Sequence, residues 1–250
     1  MADDRPSLAT ADGLVLAGRR WPAPDPRAAV VLVHGFSASC EDDKICALAD
    51  AFVHGGITVV GYDARGHGAS GGDCTLGELE SRDVAAAVAV AREHHERVVL
   101  VGASMGAIAT LRYAADAKDV HGVVVVSCPS RWRIPRSARG LLATALTRTA
   151  PGRALAARYI GVRVAPAWTT NPAPPVELAG HVQAPIAVVH GTADRFVSVI
   201  HADELYLSAG EPRRLDLVEG MGHAFDPVGF ATIVSAVDWT LERTSVPARM

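Results

Sequence analysis

The chain has 250 residues, 49% of them hydrophobic, and a formal net charge of −3 at pH 7. That length and apolar content supply one large core and exclude an intrinsically disordered chain. The near-neutral balance gives no global case for nucleic acid, and no apolar run reaches the length of a membrane span.

The opening Met1-Ala2-Asp3-Asp4-Arg5-Pro6-Ser7 lacks the basic and apolar regions of a signal peptide. Leu14 to Arg20 is predicted as an early strand, followed by a proline-rich loop from Trp21 to Pro26. Ala29-Val30-Val31-Leu32-Val33 is continuously apolar, as a strand covered on both faces must be, and it ends in His34-Gly35-Phe36. A helix is expected from about Asp42 to His54, closed by Gly55-Gly56. The strand Ile57 to Val60 runs into a glycine-rich loop that ends at Gly72. Glu78 to His95 reads as helix, with Leu79, Val84, Val88 and Ala91 on its apolar face. Val98 to Val101 is a further buried strand. After the turn Gly102-Ala103-Ser104-Met105-Gly106, a helix extends to about Ala117. Val123 to Val126 is the next strand.

The alternation lapses between about 129 and 180. Two short helices are expected there, one with an apolar stripe at Leu141, Leu142, Ala145 and Leu146, the other framed by Pro151 and Gly161. Alternation then resumes. A strand at Pro185 to Val189 leads to His190-Gly191-Thr192-Ala193-Asp194, and a helix covers Ile200 to Ala209. A last strand at Leu215 to Val218 leads to Gly220-Met221-Gly222-His223, and a terminal helix spans Pro227 to Arg243. Repeated strand–helix units with buried strands imply an α/β fold: a mostly parallel sheet with helices on both faces. Residues 1–250 read as a single domain with a small cap-like insertion at about 129–180.

Reactive groups in such sheets collect at the carboxyl ends of the strands. Ser104 lies at such an end, on a strand–turn–helix transition flanked two residues away by Gly102 and Gly106. A serine hydroxyl is a weak nucleophile near neutrality and needs a base. His223 is the candidate base, and Asp194 the acid that fixes its tautomer. No other acidic residue lies between Asp119 and Glu177 to compete for that role. The backbone N–H groups of Phe36 and Met105 are the candidate oxyanion hole, with Gly35 allowing close approach.

Five pieces in order, His34-Gly35-Phe36, Asp63-x-Arg65-Gly66-His67-Gly68-x-Ser70, Gly102-x-Ser104-x-Gly106, His190-Gly191-x-x-Asp194 and Gly222-His223, carry a resemblance. The chain resembles the α/β-hydrolase fold serine hydrolases: the esterase/lipase, serine-aminopeptidase-like and monoacylglycerol-lipase-like group. The order Ser…Asp…His is that of this family. The resemblance implies a cofactor-free carboxylesterase or lipase-like enzyme working through an acyl-enzyme on a small-molecule acyl ester or thioester. Thioesterases and other acyl-transfer enzymes share the fold, as do hydrolase-fold proteins that bind a ligand without turnover. A serine at position 104 argues against the family members that use an aspartate there. The family pattern gives His34, His67 and His190 supporting roles, and Asp63 and Arg65 a part in bracing their loop.

Phe36, Trp132, Trp168, Phe196 and Phe225 adjoin these motifs or lie in the insertion, and are candidates for an apolar substrate pocket. No cluster has the spacing of metal ligands. Cys40, Cys46, Cys74 and Cys128 form no C-x-x-C pair, so free thiols in a reducing, cytoplasmic setting are expected. The stretch from Val120 to Val176 holds eight arginines (131, 133, 136, 139, 148, 153, 158 and 163) and no acid. It is thus +8, leaving −11 for the rest of a chain that totals −3. A cap that attracts anionic substrates or an anionic surface is one reading. A general preference for arginine, in a chain with only Lys44 and Lys118 as lysines, is the simpler one.

Overall fold

The computed structural model describes residues 4–132 and 138–244. Arg133 and Arg136 lie outside them. In chain order the elements are β1 (Ser7–Ala9), β2 (Val15–Trp21), β3 (Ala28–Val33), α1 (Asp43–His54), β4 (Ile57–Tyr62), α2 (Glu80–Arg92), β5 (Val98–Ala103), α3 (Met105–Asp116) and β6 (Gly122–Val126). Then follow α4 (Ala138–Arg148), α5 (Ala150–Leu155) with a π-helical turn (Ala156–Ile160), α6 (Pro175–Ala179), β7 (Ile186–Gly191), α7 (Ile200–Ser208), β8 (Arg213–Val218), a 3-10 turn (Pro227–Gly229) and α8 (Phe230–Arg243).

The sheet has eight strands in the order β1-β2-β4-β3-β5-β6-β7-β8. β1 and β2 pair antiparallel, and β2 meets β4 antiparallel; all other neighbours are parallel. Every residue of β3 through β7 is buried, which is why these strands are largely apolar, with Thr58 and His190 as their polar members. Their side chains alternate between two cores. Val31, Val33 and Leu100 join Val84, Val88, Leu111 and Leu205 on one face, under α2, α3 and α7. Val30, Leu32, Val99 and Val101 join Ile45, Leu48, Phe52, Ile233 and Val237 on the other, under α1 and α8. Burial of each such side chain is worth about 1.5–3 kcal/mol, so helical faces spaced like Ile45, Leu48, Ala49 and Phe52 dock firmly.

The segment between β6 and β7 departs from one expectation. Leu141 and Leu142 of the predicted apolar stripe are 53% and 61% exposed. The segment's later part is anchored to the loop after β4. Arg163 donates to the carbonyls of Ser70 and Gly72, and Glu78 accepts from the backbone and hydroxyls of Thr169 and Thr170. Gly161 ends the π-helical turn in the left-handed region, at φ 72°, where its missing Cβ removes the usual penalty. Among the described residues no helix is long and apolar enough to cross a membrane.

Candidate active site

Ser104 stands between β5 and α3 with φ 53° and ψ −114°, a strained conformation for a residue with a Cβ. The strain is held on both sides. The Ser104 N–H donates to the Val126 carbonyl at 2.9 Å, and its own carbonyl accepts from the N–H groups of Ala107 and Ile108. The flanking glycines are sterically required. A Cβ on Gly102 would stand 2.4 Å from Thr110 Oγ1, and one on Gly106 would stand 2.4 Å from the carbonyl oxygens of both Val33 and His34.

His223 arrives on the loop after β8. Its Nε2 lies 3.0 Å from Ser104 Oγ, and its Nδ1 lies 2.7 Å from Asp194 Oδ2. Asp194, on the loop after β7, is held by its own turn: Oδ1 accepts from the N–H groups of Phe196 at 2.8 Å and Val197 at 3.0 Å. Burial works against the Asp194 charge. The His223 hydrogen bond and charge and these two N–H donors outweigh it, leaving its pKa below the ordinary carboxylate value. A proton on His223 Nδ1 satisfies Asp194 and leaves the Nε2 lone pair directed at the Ser104 hydroxyl.

The loop after β3 lies against this serine. A Cβ on Gly35 would be 3.3 Å from both the Ala103 carbonyl oxygen and Ser104 Cβ. Among the described residues, neither the Phe36 nor the Met105 N–H has a protein acceptor. Asp63 fixes that loop, accepting from Ser39 Oγ at 2.8 Å and from the N–H groups of Cys40 and Ala69 at 2.9 Å each. His34 Nε2 accepts from the Ala64 N–H at 2.9 Å. His67 Nδ1 lies 3.0 Å from the Arg65 carbonyl, and His190 Nε2 lies 3.0 Å from the Val197 carbonyl. All three histidines are buried, and burial pushes their pKa values down. Arg65 reaches out of its loop to Asp83 and Asp12, at 2.7 and 2.9 Å.

Ser127 is a site residue that the sequence reading passed over. It follows β6, has φ 50° and is fully buried. Its hydroxyl accepts from the N–H of Ala224, the residue after His223, at 3.0 Å. The rule that pointed to the other groups, position at a buried strand's carboxyl end, applies to it equally.

Ser104 and His223 open onto a cavity of about 910 Å³. Phe36, Trp132, Trp168, Phe196 and Phe225 all line it. The Trp132 and Trp168 rings pack 4.9 Å apart, and their N–H groups are taken by the carbonyls of Pro172 and Thr75. They therefore offer only their hydrocarbon faces. Phe196 lies 5.0 Å from the His223 ring, and Phe36 meets His67 edge-on at 5.9 Å. The cavity is thus mostly apolar, with a hydrogen-bonded serine and imidazole in its wall.

An eight-stranded, mostly parallel sheet covered by helices on both faces, with serine, aspartate and histidine brought together at its strand ends, is an α/β-hydrolase fold. More particularly, the model of the hydrolase family described as serine aminopeptidase, S33, matches residues 24–176, and the chain belongs to that family. It is 31% identical over 130 residues to a monoacylglycerol lipase of Mycolicibacterium smegmatis, a match covering 50% of this chain and 46% of that one. It is 26% identical over 178 residues to the uncharacterized protein YqkD of Bacillus subtilis, covering 69% and 58%. The matches thus span about half the length of these curated relatives. Among solved structures, the α/β hydrolase GrgF from a Penicillium species superposes with a TM-score of 0.77 at 21% identity, covering 98% of this chain and 99% of that one. The Pyrococcus furiosus esterase Pf2001 superposes with a TM-score of 0.74 at 20% identity, covering 97% and 93%. At these identities the superpositions speak for the fold alone.

Proposed function

We propose that the protein is a serine hydrolase that cleaves carboxylic esters through an acyl-enzyme. The observation that carries this reading is the continuous relay from Asp194 Oδ2 through His223 to Ser104 Oγ, at 2.7 and 3.0 Å. In it, His223 takes the Ser104 proton as the hydroxyl attacks the acyl carbon. The oxyanion is received by the N–H groups of Phe36 and Met105. His223 then protonates the leaving alcohol, and afterwards activates the water that releases the acid. The family match and the lipase relative support ester substrates, and the apolar cavity supports an acyl or aromatic group in them. In this reading residues 1–250 form one domain, with a small cap-like insertion at about 129–180. The four free thiols support a reducing, cytoplasmic setting.

The test is a panel of esters, thioesters and aminoacyl amides assayed with wild type and Ser104→Ala. Ester hydrolysis should fall by about 10⁶-fold in kcat in the variant. Retention of most of the wild-type rate would overturn the reading. Higher wild-type kcat/KM on thioesters than on matched esters would reassign the leaving group.

A further inference from the structure

We infer that Arg148 is an anion-binding anchor in the wall of the catalytic cavity, and that the preferred substrates are esters carrying a carboxylate away from the bond that is cleaved. This rests on the serine esterase reading above and adds a substrate class to it.

Among the described residues six charged ones line the cavity: Glu41 and Asp42 just before α1, Asp43 and Lys44 in its first turn, and Arg131 and Arg148 from the segment between β6 and β7. Most have a prior commitment. Glu41 takes Arg5 at 2.6 Å and Arg19 at 2.8 Å. Arg131 Nε lies 3.4 Å from Glu204. Lys44 follows three acids in sequence, so its surroundings are negative. Arg148 is different. Its guanidinium stands 6.0 Å from the centre of the Trp168 ring, and among the described residues it meets no carboxylate. Its own stretch of chain, from Val120 to Val176, contains no acid at all.

The position is also built. Arg148 is the last residue of α4. Thr149 Oγ1 then caps α5 by accepting from the Gly152 N–H at 3.0 Å, and Arg153 donates to the Arg148 carbonyl at 3.3 Å. A Cβ on Gly152 would stand 2.0 Å from the Ala145 carbonyl oxygen, so the two helices meet backbone to backbone at this corner. Trp168 is fixed by its N–H bond to the Thr75 carbonyl at 2.7 Å. A guanidinium over a fixed indole keeps its planar fork of donors free for a carboxylate. Hydrocarbon faces on Trp132 and Trp168 beside that cation suit an ester whose apolar spacer ends in an anion.

Two matched pairs of substrates separate this from a merely exposed arginine. 4-Nitrophenyl valerate against 4-nitrophenyl hemiglutarate places the carboxylate on the acyl side. Phenyl acetate against 3-acetoxybenzoate places it on the leaving group. Each is assayed with wild type, Arg148→Gln and Arg148→Lys at low and high salt. We expect Arg148→Gln to lower kcat/KM for at least one anionic ester by about tenfold more than for its neutral partner, chiefly through KM, with Arg148→Lys intermediate. Added salt should erode the wild-type preference in parallel. Equal losses on neutral and anionic partners, or no loss on either, would overturn the assignment. A wild-type protein inert toward all four esters, neutral and anionic, would instead overturn the esterase reading, and this inference with it.

Discussion

At the scale of single residues, the buried imidazoles make a claim about pH that is separate from catalysis. His67 is fully buried, with its Nδ1 on the Arg65 carbonyl and its ring 5.1 Å from His34. Burial, reinforced by the charge of His34, pushes its pKa from 6.5 down to about 4. Between those two values the unfolded chain takes up a proton that the folded chain refuses. This contribution to stability is therefore fully present above pH 6.5 and is lost as pH falls toward 4. From pH 7 to pH 5, His67 alone should account for about 2 kcal/mol of lost stability. The lowered pKa values of Asp63 and Asp194 act in a more acidic range, below the ordinary carboxylate value. Urea unfolding at pH 7 and pH 5 measures the difference. A midpoint unchanged between the two would contradict the buried, neutral state assigned to His67.

At the scale of elements, the junction of β5 with α3 is the tightest construction in the site. Gly106 lets the first turn of α3 lie directly on the carbonyls at the end of β3. Neither oxygen can swing aside as a flexible side chain would. Gly106→Ala should therefore cost about 1–3 kcal/mol by overpacking, lowering Tm by several degrees, and should re-aim Ser104 with a loss of kcat. Gly210 provides the control. A Cβ there would come no closer than 3.9 Å to the Val182 carbonyl oxygen, so Gly210→Ala should leave Tm nearly unchanged. Equal melting temperatures for Gly106→Ala and wild type would show that the junction has slack.

At the scale of the whole molecule, the parts legible in the sequence were those with a local signature. β3, β4, β5, β6 and β7 are buried on both faces, so each is a largely apolar word, broken only by Thr58 in β4 and His190 in β7, and bounded by glycine or a polar motif. Strand ends then point to Ser104, Asp194 and His223 without any knowledge of the sheet order. What stayed hidden depends on partners distant in sequence. The short edge strand β1 pairs only with β2 and carries too few residues for a pattern. Arg65 is matched by Asp12 and Asp83, 53 and 18 residues away, and Ser127 by Ala224, 97 residues away. Leu141 and Leu142 show the opposite failure: an apolar stripe can be recognised locally, yet whether anything covers it is a property of the assembled molecule. The arginines of the same segment also separate only in three dimensions, Arg163 bonding backbone carbonyls, Arg131 meeting Glu204, and Arg148 lying over Trp168.

The central claim is that these strand ends assemble one activated serine. Active-site titration of the folded protein with a fluorophosphonate probe, followed by intact-mass measurement and peptide mapping, tests it most directly. The account predicts one adduct per chain, located on Ser104 and lost in Ser104→Ala, with much slower labelling in His223→Ala. No adduct on the folded wild-type protein, or equal labelling of Ser104→Ala, would contradict it.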